Sequence, residues 1–250
     1  SSNSTNMITS ISNRVLPASS KTKLMTHSWY TGMLFLVLSL ILTPGCGDAK
    51  SRKAAEELKK ELEGLKSASA TDRENSLLHL SGMGAAAKPA APRAVELLKD
   101  PEIKVKTAAI QLIVSLKHKD PGALAEIGAL AASAEDDELR GNALNALMAL
   151  DAHEEHAKAC AELLGSEVDR LRELGSQGLA QANEHAGVVK TQLVTGLDDE
   201  LPYVRANCAT ALGNLGSKAP PEAKDKLTAL LKDKEEMVAD EAKKALDKIN

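Results

Sequence analysis

The sequence predicts an all-α fold, a stack of six helical hairpins. Three observations predict it. A pattern of small and large apolar residues recurs every 32 to 34 residues. Helix-start signals divide each copy into two helices, and no run alternates as a half-buried strand does. The pattern is clearest in residues 203–216, YVRANCATALGNLG, where Arg205 serves as an anchor. The matching anchors are Arg73, Lys106, Arg140, Arg172 and, in the last copy, Ala239.

Fixed offsets from the anchors define a buried face. Three residues on stand Ser76, Ala109, Ala143, Gly175, Cys208 and Ala242, all small. Seven on stand Leu80, Ile113, Leu147, Leu179, Leu212 and Leu246, and ten on stand Met83, Leu116, Leu150, Ala182, Leu215 and Ile249. Offsets of three, seven and ten share one face of a helix with about 3.6 residues per turn. The small column lets a neighbouring helix approach, and the large columns fill the space between. Eight before the anchors, Leu65, Leu98, Ala132, Leu164, Leu197 and Leu231 mark a first helix in each copy.

The elements follow in order. The first pair is 51–66 with 71–83, the second 89–99 with 103–117 and the third 121–134 with 137–151. Then come 153–165 with 168–182, 186–198 with 201–215, and 220–232 with 235–249. Asp100-Pro101 and Asp120-Pro121 read as a capping acid before a first-turn proline, and Pro202, Pro220 and Pro221 suit first turns as well. Gly213 and Gly216 fit the end of a second helix.

A helix pair with D-x-x-x-x-[IVL]-[RK]-x-x-A-x-x-[AL]-L resembles the HEAT repeat, most of all the short bacterial form also found in phycobilin lyases. The resemblance covers residues 51–250 and implies a right-handed α-solenoid of about six HEAT-like hairpins, with the anchor helices on the concave side. It also implies a ladder between the acid ending the first helix and the base of the second. By position that ladder comprises Asp100 with Lys106, Asp199 with Arg205, and the anchors Arg140 and Arg172. Asp233 is expected to lack a partner because its anchor is Ala239, and Ser67, Ala134 and Ser166 replace the acid in three repeats. The resemblance implies no chemistry, since a fold does not fix a function.

The front end reads as an address. No acidic residue precedes Gly47, and Arg14, Lys21 and Lys23 come before the apolar run MLFLVLSLIL at 33–42. That run is shorter than the roughly 20 residues a membrane span needs. The pattern predicts a signal peptide over 1–45. Cys46, after Gly45, resembles the lipid-modified cysteine of bacterial lipoproteins, with 46–50 as a short tether to the repeat domain at 51–250. Ordinary cleaved secretion and an uncleaved anchor are the alternatives. Lipidation would place the protein on the bacterial cell envelope, facing the periplasm or the exterior.

Composition narrows the partners. The chain has 250 residues, 43% hydrophobic and 26% charged, with a net charge of −4. Aromatic residues are only 2%, and Tyr203 is the one aromatic after the front end. Base stacking and a basic stripe are both missing, so nucleic acid is not an expected partner. Cys160 and Cys208 fall in small-residue columns and read as buried free thiols. His153 and His156 lack the spacing of a zincin motif, and acids at 154 and 155 suit a first helical turn. No nucleotide loop, nucleophile elbow or catalytic triad is visible. Neither enzyme activity, metal nor cofactor is expected.

The face opposite the core is uncharged. At about 100° per residue, offsets two, five and nine in repeats two to five hold Ala108, Gln111, Ser115, Asn142, Asn145, Ala149, Leu174, Gln177, Gln181, Asn207, Thr210 and Asn214. A side-chain amide both donates and accepts hydrogen bonds. Gln111, Asn145, Gln177, Gln181, Asn207 and Asn214 are therefore expected to line a neutral groove for an extended protein segment. The leading expectation is a membrane-tethered scaffold that binds another protein. An accessory or lyase-like enzyme subunit and a structural envelope spacer are the other two.

Overall fold

In a computed structural model, the residues described are 49–249. The chain divides into two units, Ser1–Ala55 and Glu56–Asn250. Of the first, only the helical residues from Ala49 on are described; the expected signal peptide over 1–45 and the expected lipidation site Cys46 lie outside the described residues.

The described residues form twelve α-helices and no strand. They run α1 Ala49–Gly64, α2 Ala70–Gly82, α3 Ala91–Leu97, α4 Ile103–Ser115, α5 Pro121–Ser133 and α6 Asp137–Ala149. The second half continues with α7 His153–Leu164, α8 Asp169–Gln181, α9 Lys190–Gly196, α10 Pro202–Leu215, α11 Glu222–Leu230 and α12 Glu236–Ile249. These are the six expected hairpins of an α-solenoid. Two first helices differ from expectation at their starts. Before α3 and α9 the chain makes 3₁₀ turns over Gly84–Ala90 and Asn183–Val189. Pro89 lies inside the former, where a missing N–H and a fixed φ disfavour α-helical bonding.

Capping follows local chemistry. Asp120 caps α5 by accepting from the backbone N–H of Gly122 and Ala123, at 2.9 and 3.2 Å. Asp136 does the same for α6 through Leu139 N–H at 2.7 Å. Asp100 is not a cap: α4 starts at Ile103 after Glu102, and the carboxylate of Asp100 has another role. Pro202 occupies the first turn of α10, as expected.

The core is the predicted face. Ala109, Ala143, Cys208 and Ala242 at offset three are fully buried, as are Leu80, Ile113, Leu147, Leu179 and Leu212 at offset seven. A fully buried leucine contributes about 2 kcal/mol by area. Each hairpin buries these residues against its neighbours, the mode of cohesion of solenoids. Leu231, in the last of the six hairpins, departs from the column at 42% exposed.

Close approach is set by missing side chains. A Cβ on Gly213 would lie 2.8 Å from Ala245 Cα, so α10 and α12 pack backbone to backbone. A Cβ on Gly178 would lie 2.4 Å from Cys160 Sγ, and one on Gly196 2.5 Å from Cys208 Sγ. The two thiols thus fill space left by glycines, which explains small residues in those columns.

Candidate protein-binding groove

The anchor side chains join successive repeats. Arg205 donates from Nε and Nη2 to Asp233 Oδ2 and Oδ1 at 2.8 and 2.9 Å. Its Nη1 donates to the carbonyls of Asp199 and Glu200, at the turn of its own hairpin. Arg73 repeats this with Asp100 at 2.8 and 2.9 Å and with the carbonyls of Ser67 and Ala68. Arg172 has Nε 3.0 Å from Asp199 Oδ2 and reaches the carbonyls of Ser166 and Glu167.

The ladder therefore runs one repeat ahead of the expected register. Asp100 pairs with Arg73, not Lys106; Asp199 pairs with Arg172, not Arg205; Asp233 has a partner after all. The cause is reach: an arginine in the first turn of a second helix spans to the next hairpin's turn while gripping its own. The departures at Ser67 and Ala239 fall in the first and last of the six hairpins. The internal breaks are two. Ala134 and Ser166 stand in the register where acids would face Lys106 and Arg140.

Charge follows geometry. Burial pushes the Asp100 carboxyl up, but hydrogen bonds from Arg73 and Glu102 N–H outweigh it and leave it below the usual carboxylate range. The hydrogen bond from Arg205 holds Asp233 low in the same way. Arg140 has no such partner. It is 6% exposed, donates to its neighbour Asp137 and to the Ala134 carbonyl, and leaves Nε without a hydrogen bond.

The joint at Arg140 is also the open one. The second helices pack side by side at the other four joints, α2 on α4, α4 on α6, α8 on α10 and α10 on α12. Between α6 and α8 that packing lapses, and the first helices α5 and α7 hold the joint together. A cleft of about 270 Å³ lies there, lined by Arg140, Leu144 and Asn145 from α6 and Arg170, Leu171 and Leu174 from α8, with Asp137 and Gly141. A larger depression of about 550 Å³ includes Gln111, Leu78, Ile103, Glu74, Glu102, Asp136 and Glu138.

The amide row divides in two. Gln111, Asn145, Gln177 and Gln181 are exposed, with no side-chain hydrogen bond among the described residues. Asn207 and Asn214 are half-buried and tie repeats together. Asn207 Nδ2 donates to Ser176 Oγ at 3.1 Å and Asn214 Nδ2 to the Ala180 carbonyl at 3.2 Å, while Lys248 Nζ donates to Asn214 Oδ1. The tight packing of α8, α10 and α12 brings these amides within reach of the helices on either side. Nor is the groove neutral. Charges enter from the first turns of the second helices, outside the offsets that define the row: Glu102, Asp136 and Glu138 at one depression, Arg140 and Arg170 at the other.

Cys160 and His156 make a buried pair. Cys160 Sγ lies 3.8 Å from both ring nitrogens of His156. Burial pushes the Cys160 thiol up to about 12 and the His156 imidazole down, so both are neutral near pH 7. An activated thiolate needs the opposite pair of shifts. His153 stacks on His185 with ring centroids 4.6 Å apart. Among the described residues no three His, Cys, Asp or Glu side chains gather as a metal set.

Comparisons with known proteins agree in kind. Residues 191–250 match the family model described as HEAT repeats. That match covers the last two hairpins; the earlier four share their register. No curated protein is similar enough to match. Among solved structures, computationally designed armadillo repeat proteins for modular peptide recognition are 20% identical, covering 77% of this chain and all of that one, at a TM-score of 0.49. A designed armadillo repeat protein in complex with the peptide (KR)4 is 20% identical over 78% of this chain and all of that one, at 0.48. Human deoxyhypusine hydroxylase in complex with glycerol is 20% identical over 89% of this chain and 98% of that one, at 0.33. None reaches a TM-score of 0.5, and at a fifth identity the likeness says nothing of ligands.

Proposed function

We propose that this protein is a non-enzymatic, membrane-tethered scaffold that binds an extended segment of another protein along its second helices. One observation carries the reading. Gln111, Asn145 and Gln177 occupy the same offset on α4, α6 and α8, and all three are exposed with donors and acceptors unpaired. An extended backbone has matching N–H and C=O groups, and a row of amides can pair with them whatever the side chains. The two depressions beside Gln111 and Asn145 would take side chains of the segment. Cys46 supplies the tether as a lipidated residue after signal cleavage, holding the protein on the cell envelope.

Photo-crosslinking in cells tests this, with the probe at Gln177 and a control at Glu162 on α7. A single dominant product from Gln177 alone is expected. Weak, diffuse products at both positions would overturn the groove and favour a structural spacer. Incorporation of an alkyne-labelled fatty acid, lost in Cys46→Ser, tests the tether separately.

A further inference from the structure

We propose that the cleft between α6 and α8 receives an aspartate or glutamate side chain of the bound segment, its carboxylate seated on Arg140 and Arg170. This rests on the groove reading above and adds the chemistry of one residue in the partner.

Four observations converge on the cleft. First, Arg140 is 6% exposed and its Nε has no hydrogen bond, although it lines the cleft. A buried donor left unmatched is costly, and a charged one more so. Second, the molecule shows what such an arginine takes: at Arg73 and Arg205 the Nε donates to a carboxylate oxygen at 2.8 Å, and at Arg172, whose Nε likewise has no hydrogen bond, the Asp199 carboxylate stands 3.0 Å away. Ser166 stands where the chain would have supplied that carboxylate to Arg140. Third, the joint is open on this side, so the missing group can come from outside. Fourth, the charges fit. Arg170 is exposed and Asp137 lies between the two arginines, pairing with both, which leaves one net positive charge at the cleft.

The other depression has the opposite sign, with Glu74, Glu102, Asp136 and Glu138 against Lys104, itself paired with Glu74. Of the two depressions, an acidic residue is therefore accepted by one and repelled by the other. This would fix the register of a segment that the amide row, blind to sequence, cannot fix. Leu144, Leu171 and Leu174 would pack on the methylene stem of the incoming side chain.

Ser166→Asp gives a clean test. At the other turns the aspartate Oδ1 accepts from the N–H two residues on, in Asp100, Asp199 and Asp233. Ser166 Oγ accepts the same bond from Val168 N–H, so the substitution keeps the turn while supplying Arg140 from within. The measurement is the ¹⁵N shift of the arginine Nε–H groups in the whole chain in detergent solution. It is titrated with Ac-Gly-Glu-Gly-NH2, with Ac-Gly-Gln-Gly-NH2 and with sodium acetate. The Glu peptide is expected to move the Arg140 resonance saturably, at least tenfold more tightly than the Gln peptide or acetate. In Ser166→Asp that resonance is expected to start displaced and to titrate at least tenfold more weakly, and Arg170→Gln should weaken the wild-type titration. No movement, equal movement with the Gln peptide, or unchanged titration in Ser166→Asp would overturn the proposal. Acetate as effective as the Glu peptide would make the cleft a general carboxylate site and overturn the assignment to a protein segment. None of these outcomes decides the groove itself, which stands or falls on crosslinking at Gln177.

Discussion

Two joints of one solenoid behave oppositely. Between the fifth and sixth hairpins, Arg205 meets Asp233 through two hydrogen bonds, Gly213 lets α10 and α12 touch, and Thr210 and Asn214 reach Glu241 and Lys248. Between the third and fourth, Ser166 stands in the place of that acid, Arg140 Nε has no hydrogen bond, α6 and α8 separate, and Asn145 is unpaired among the described residues. The same hairpin is used in both. What differs is whether the chain satisfies its own polar groups. On the function proposed above, stability and recognition fall at different joints.

The largest expected effect breaks the closed joint. Asp233→Ala leaves a buried guanidinium unpaired and should cost about 3 kcal/mol in urea melts; Lys106→Ala, at a joint with no rung, should stay within about 0.5 kcal/mol. The pH dependence sharpens the same contrast. The Arg205 hydrogen bond lowers the folded pKa of Asp233, so its contribution is full above the unfolded value near 4 and is lost as pH falls through the folded one. The advantage of wild type over Asp233→Asn should therefore be present at pH 7 and shrink steadily below about pH 4.

Next comes the packing beneath the open joint. Gly178→Ala pushes a Cβ into Cys160 Sγ and should cost about 1–3 kcal/mol, with Cys160→Ala recovering part of it in the double variant. Ser166→Asp should raise stability by about 1 kcal/mol through a new rung; no rise in the melting temperature would mean that Arg140 cannot reach that turn. Smallest is the split in the amide row. Asn214→Ala removes an inter-repeat bond and should cost about 1 kcal/mol. Asn145→Ala and Gln177→Ala should leave the melt within about 0.5 kcal/mol while weakening crosslinking.

Much of this was legible in the sequence. Small and large columns at fixed offsets placed all six hairpins, because helical periodicity and burial are local and repeated. The 3₁₀ starts before α3 and α9 were not legible, since Pro89 and its neighbours compete with the apolar pattern over only a few residues. The ladder residues were visible but their pairing was not. A sequence column aligns Asp100 with Lys106, whereas the side chain of Arg73 crosses to the next hairpin, 27 residues on. Spacing between an anchor and the following repeat's acid carried that signal for Arg73 and Arg205. The amides at Gln111, Asn145 and Gln177 could not be separated from Asn207 and Asn214 by pattern, because their fates depend on how closely two helices approach.

The stagger of the ladder has a consequence for repeat number. Each rung joins the base of one hairpin to the acid of the next, so a change in repeat count re-pairs whatever it brings together. Excising the fourth hairpin whole would set Arg140 against Asp199 and turn a mismatched junction into a matched one. The shortened array would carry one unrung junction instead of two, and would lose the cleft with it. Loss or duplication of a single hairpin is thus a one-step route between a fully rung junction and an open one.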